Sequence, residues 1–172
     1  MNCRFDGVVD LSPYPRPEPL TEQEKGEAID AILKWLLRER GMIAAFSATV
    51  EKKRALVRGY MNERPAHPIP REIISLQDRL FWTESLERGI VSPEEIPDSD
   101  GISLWQGDIR RLSTDGIVNA ANKGLLGCFL PNHNCIDNVI HSAAGMQLRD
   151  DCAKIIAAQG HEEDCGDCKI TR

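Results

Sequence analysis

Between residues 28 and 37 six apolar positions recur in pairs, Ala28 with Ile29, Ile32 with Leu33, and Leu36 with Leu37. Spacings of three and four residues place all six on one face of a helix. Thr21 and Glu24 stand ahead of it as a capping-box pair, and Gly41 follows its last apolar residue, so start and stop are both marked. The same reading predicts a second helix over about 49–61, with Ala55, Leu56, Tyr60 and Met61 on its apolar face, halted by the prolines of "RPAHPIP". A third, over 71–88, turns Ile73, Ile74, Leu80 and Phe81 inward and closes at Gly89. Residues 21–89 thus read as a small helical unit. The proline-rich "LSPYPRPEPL" leads into it as an extended arm.

After the acidic, proline-bearing boundary "SPEEIPDSDG" the period changes. Ile102 to Gln106 and Gly116 to Ala120 are short strand-like runs separated by a polar turn. Helical patterns return over 136–144 and 147–158, broken at Gly145 and stopped at Gly160. The chain is expected to divide into residues 1–98, helical, and residues 99–172, of α/β type. A strand, loop and helix in that order form an arrangement in which ligands sit where strand ends meet helix starts. No internal repeat, P-loop or GxGxxG run is present.

Composition narrows the class. With 41% hydrophobic and 28% charged residues in 172, the chain reads as an ordinary globular protein. A net charge of −6 disfavours broad contact with nucleic acid or an anionic membrane, and no basic patch offsets it. No apolar run approaches the roughly 20 residues of a membrane span, and no secretory leader pattern opens the sequence. Cytoplasmic location is the default expectation. The six cysteines are accordingly read as reduced thiols. Cys3 and Cys152 stand alone, and Cys152 fits a small buried hydrophobe on its helix.

The chemistry gathers in "NAANKGLLGCFLPNHNCIDNVIH". Cys128, His133 and Cys135 follow a C-x4-H-x-C spacing on an irregular, proline-stiffened loop, a donor set suited to Zn²⁺. Three protein ligands leave a coordination position for water or substrate, whereas a structural site closes with four. Two other readings stand beside this one: two core cysteines with a surface histidine, or a closed structural site completed by Cys165 and Cys168 of "CGDC". Asp108 also fits a turn, Asn122 a strand-end cap, and Asp137 the first-turn acid of a helix. His141, one turn after Asp137, reads first as a core or capping histidine and second as a residue facing the site.

Taken together, "GDI", "IVNAAN", "LLG" and "IDNVIHSAAG" resemble the opening half of a macrodomain. The C-x4-H-x-C run resembles the zinc-dependent branch of that family, which removes ADP-ribose from proteins. The segment "MNERPAHPIPREIISLQDRLFWTESLERGIV" is similar to the helical extension of that branch. The resemblance implies a mixed sheet flanked by helices, with residues 1–98 as the helical N-terminal extension and 99–172 as the N-terminal half of the macro fold. It implies that Asp108, helped by the Ile109 amide, binds adenine, and that Asn122 orients the distal ribose. Asp137 would help activate water, and Cys128, His133 and Cys135 would hold Zn²⁺.

The implied function is zinc-dependent hydrolysis of mono-ADP-ribose from modified proteins, with ADP-ribose and the mono-ADP-ribosylated protein as partners. A reader that binds ADP-ribose without cleaving it is the alternative, and a purely structural zinc domain a third. The sequence holds no second glycine-rich loop to wrap a diphosphate and only two strand-like runs. A truncated chain with an exposed apolar sheet edge and weak or no activity is therefore expected.

Overall fold

A computed structural model describes residues 5, 7–12, 15–43 and 47–171. Cys3 and part of the proline-rich arm lie outside the described residues. The chain runs through α1 (Glu22–Glu39), α2 (Val50–Glu63), α3 (Arg71–Arg88), β1 (Asp98–Ser99), β2 (Ile102–Ser103), α4 (Ile136–Ala144) and α5 (Met146–Gln159). Short 3-10 turns occupy Pro93–Glu95 and Ile109–Arg111.

The capping box predicted for α1 is formed. The Glu24 amide donates to Thr21 Oγ1 at 3.3 Å, and the Thr21 amide donates to Glu24 Oε2 at 2.8 Å. All six paired apolar residues of α1 are buried. They pack on Val57 and Met61 of α2, Leu80 and Phe81 of α3, and Met146 at the start of α5. On α2 the expected face is rotated. Val57, Gly59, Met61 and Asn62 are the buried residues, Leu56 and Tyr60 pack at the core's margin, and Ala55 is exposed. A buried Gly59 and Asn62 show that α2 turns its inner face toward a polar neighbour as well as the core.

The sheet is smaller than predicted. β1 and β2 form one antiparallel pair, with Asp98 opposite Ser103 and Ser99 opposite Ile102. The turn between them is Asp100-Gly101, both at positive φ (54° and 79°), the backbone that a tight hairpin demands. The boundary segment therefore supplies a strand, and the run from Ile102 is a strand only as far as Ser103. Gly116 to Ala120 forms no strand among the described residues. Extended backbone becomes a strand only when a partner takes its hydrogen bonds; β1 pairs with Ile102–Ser103, and between the two runs Leu112 makes a single parallel bridge to Val91. Most apolar side chains of the two runs are left in solvent: Leu104 is 95% exposed and Val118 89%, with Ile102 and Ile117 also exposed, while Trp105 is half-buried. The expected exposed apolar edge thus takes the form of two extended segments rather than a sheet rim. The observed architecture is helix-rich with a small antiparallel sheet. Among the described residues no helix is long and apolar enough to cross a membrane.

Candidate functional site

The loop from Gly127 to Cys135 is built by the first turn of α4. Cys135 is the N-cap of α4, and its Sγ accepts from the Asn138 amide at 3.4 Å. Asn138 is fully buried and reaches back along the loop, its Nδ2 donating to the carbonyls of Leu130 (3.0 Å) and Cys128 (3.3 Å). Asn132 takes a left-handed backbone (φ 54°), which asparagine tolerates better than most residues, and its turn brings His133 back toward Cys128. As a result the ligand atoms of Cys128, His133 and Cys135 all lie within 4.8 Å of one another, with Cys128 Sγ 3.6 Å from His133 Nδ1. Metal–sulfur and metal–nitrogen bonds of about 2.3 and 2.0 Å at tetrahedral angles require donors roughly 3.5–3.8 Å apart, so a small contraction lets the three fit zinc. Cys165 and Cys168 are exposed and stand outside this cluster. Cys152 is buried, and burial first of all pushes its thiol up to about 12, which suits an inert core position.

Asp137 sits two residues beyond Cys135 and is buried in the first turn of α4. Its Oδ1 accepts from Asn119 Nδ2 at 2.8 Å, and His141 Nε2 lies 3.5 Å from the same oxygen. His141 is both core residue and neighbour of the site. Burial is the main cause that lowers its pKa, with Arg149 adding to the effect and Asp137 opposing it. The ring rests against Gly127, where a Cβ would come within 2.8 Å of its Cγ and where φ is +79°. Asn119 Oδ1 is buried without a hydrogen-bond partner beside this group.

The other expected site residues are placed differently. Asn122 is exposed and ties its own loop: Nδ2 donates to the Gly127 carbonyl at 3.1 Å, and Oδ1 accepts from the Gly124 amide at 3.1 Å. Asp108 caps the 3-10 turn that begins with Ile109 and grips Arg110, whose Nη2 is 2.6 Å from Oδ2 and whose Nε is 2.9 Å from Oδ1. Those hydrogen bonds hold its carboxyl below the ordinary value. The ion pairs of Asp108 are with Arg110 and Arg88, and Arg110 is near enough to Arg58, which touches the cysteine loop, to add to the lowering of the Arg58 pKa that burial begins.

Sequence reasoning missed the residues that hold the loop. Arg149 is buried, donates through Nε to the Leu126 carbonyl at 2.6 Å and through Nη1 to the carbonyls of Met61 and Asn62, and stacks 4.3 Å from the Phe129 ring centroid. Arg58 and Asn62 of α2 bond the loop from the other side. The legible signal was polar residues at inward helical positions, which a search for apolar faces passes over.

These features coincide with a family match. Residues 118–172 match the Macro domain. Relatives that carry the name protein-ADP-ribose hydrolase include proteins from Staphylococcus aureus and Treponema medium. One from Staphylococcus aureus (strain COL) is 48% identical over 122 residues, covering 68% of this chain and 44% of that protein. One from S. aureus (strain Mu50 / ATCC 700699) is 44% identical over 119 residues, with the same coverage. One from Treponema medium is 41% identical over 126 residues, covering 70% of this chain and 48% of that protein. The chain spans less than half the length of these curated relatives.

Proposed function

We propose that this chain acts in the zinc-dependent removal of mono-ADP-ribose from modified proteins. The observation that carries the reading is the junction of two chemistries on one helix start. Three soft metal donors converge within 4.8 Å, and a buried carboxylate, Asp137, follows the last of them by two residues. The names of the relatives support the substrate class.

Cys128, His133 and Cys135 would hold Zn²⁺, which when bound supplies a Lewis acid for ribose hydroxyls and leaves a coordination position open. Asp137 orients the attacking water and takes its proton. Both of its observed contacts fall on Oδ1, so the second carboxylate oxygen carries neither of those bonds. Water oxygen bonds to the anomeric carbon as the bond to the amino-acid side chain breaks, and the departing side chain receives a proton. Free ADP-ribose and the unmodified protein result. Asp108 accepts from the adenine amino group with the Ile109 amide beside it, which requires it to share its carboxylate with Arg110. Asn122 orients the distal ribose from the loop it ties.

Mass spectrometry of a mono-ADP-ribosylated protein, before and after incubation with the chain, tests the reading. Loss of the modification that stops on adding a zinc chelator is the expected result. Tight binding of ADP-ribose with no release under any metal condition would instead make the chain a reader.

A further inference from the structure

The loop that bears the three candidate ligands hangs from a helix of the N-terminal unit rather than from its own segment alone. Arg58 of α2 donates through Nη2 to the His133 carbonyl at 2.7 Å and to Asn138 Oδ1 at 2.9 Å, and through Nε to Ser142 Oγ at 3.3 Å. One turn on, Asn62 Oδ1 accepts from the Asn132 amide at 2.9 Å, while its Nδ2 donates to the same Ser142 hydroxyl at 2.9 Å. Between them Gly59 is buried against the loop, and a Cβ there would stand 3.1 Å from Asn132 Nδ2 and 3.6 Å from Pro131 Cβ. Asn138 extends the same network to the carbonyls of Cys128 and Leu130. Both ends of the ligand-bearing loop therefore meet in one set of hydrogen bonds anchored on α2.

We propose that Arg58 and Asn62 are positioning residues for metal, so that the helical N-terminal unit sets the affinity of the Cys128, His133 and Cys135 site. The inference rests on the metal reading above and names a role that neither the ligands nor the match over residues 118–172 contains. His133 is exposed, so its backbone is held by hydrogen bonds rather than packing: its amide donates to the Leu130 carbonyl at 3.2 Å within the loop, and the Arg58 bond to its own carbonyl ties it to α2. A three-donor site on irregular backbone gains affinity when its donors are held in place before the ion arrives, and partners one bond removed from the ligands are typically worth about 10–100-fold in metal affinity. The guanidinium suits the task because its planar fork reaches three acceptors at once, which an ammonium cannot do in fixed geometry.

The test uses the full chain and cobalt(II), read by its thiolate-to-metal absorption, with zinc affinity from competition against a chromophoric chelator. Arg58→Ala is expected to bind one cobalt about 10–100-fold more weakly than the wild type. Arg58→Lys, which keeps the charge without the fork, should recover only a minor part of that loss. Gly59→Ala supplies a milder arm, since alanine is the better helix former and the close contact it makes is with the end of the Asn132 side chain. Its Cβ would stand 3.1 Å from Asn132 Nδ2, so that side chain must give way by a few tenths of an ångström, and a several-fold loss of affinity in a variant that still melts cooperatively is expected. Affinities within twofold of the wild type for folded Arg58→Ala and Gly59→Ala would overturn the role of α2. Full recovery by Arg58→Lys would replace positioning with simple charge and overturn it as well. A wild-type chain that takes up no cobalt would remove the metal reading itself, an outcome visible before any variant is made.

Discussion

At the scale of single residues, two carboxylates in different surroundings are assigned different work. Asp108 is partly exposed and held by Arg110, so its folded-state pKa lies below the ordinary 3.8. A depressed carboxylate contributes stability that is present above the unfolded pKa and lost as pH falls through the folded one. Asp108→Asn should therefore flatten the acid limb of a melting-temperature profile below about pH 4, and a wild-type slope in the variant would count against the Arg110 pair. The same change should weaken ADP-ribose binding, since a hydrogen bond to a charged group is worth about 1.5–3 kcal/mol. Calorimetric titration measures that loss. Asp137, buried and held by Asn119 and His141, is the carboxylate proposed above for the chemical step. Asp137→Ala is expected to lower kcat by at least about 100-fold with little change in KM. Steady-state release of ADP-ribose decides it, and a loss confined to KM would move Asp137 from chemistry to binding.

At the scale of elements, the site depends on close approaches that side chains would block. Gly127 lies at φ +79° directly under the His141 ring, where any Cβ must displace the imidazole. Gly127→Ala should cost more than the about 1–2 kcal/mol of the left-handed backbone alone, and His141 should lose its contact with Asp137. Chemical denaturation gives the first quantity. Activity falling further than stability would report the second. In α1 the costs are of another kind. Leu36 is fully buried among α2 and α3, and Leu36→Ala should destabilise the fold by about 2–5 kcal/mol through lost transfer energy and the cavity left behind. Its effect on metal affinity measured in the folded state should be small, which separates the core from the α2 polar stripe.

At the scale of the whole molecule, apolar burial and apolar exposure are divided along the chain. One core joins α1, α2, α3 and the start of α5, while Ile102, Leu104, Ile117 and Val118 face solvent from two extended segments. Extended backbone with an open edge and exposed apolar side chains invites association. Replacing Leu104 and Val118 together by lysine should change unfolding free energy by no more than about 0.5 kcal/mol per site and reduce concentration-dependent self-association. Light scattering against protein concentration checks this. A large drop in melting temperature would show that these residues are packed after all.

The sequence by itself determined the helices, because their causes are local. The Thr21 and Glu24 box, the paired apolar spacing of α1, the prolines after α2 and the glycines after α3 and α5 act within a few residues of where they stand. It also determined the donor set of the candidate metal site, since C-x4-H-x-C keeps three ligands within one loop. The sheet was not legible, because strand pairing needs a partner that no local pattern supplies. β1 arose in a segment read as a boundary, and Gly116 to Ala120 stayed unpaired. The supports of the site were equally hidden. Arg58 and His133 are 75 residues apart, and Arg149 and Met61 are 88 apart. A buried polar group is satisfied by whichever carbonyl the packed helices bring within 3 Å, and that choice is made only when α2, α4 and α5 come together.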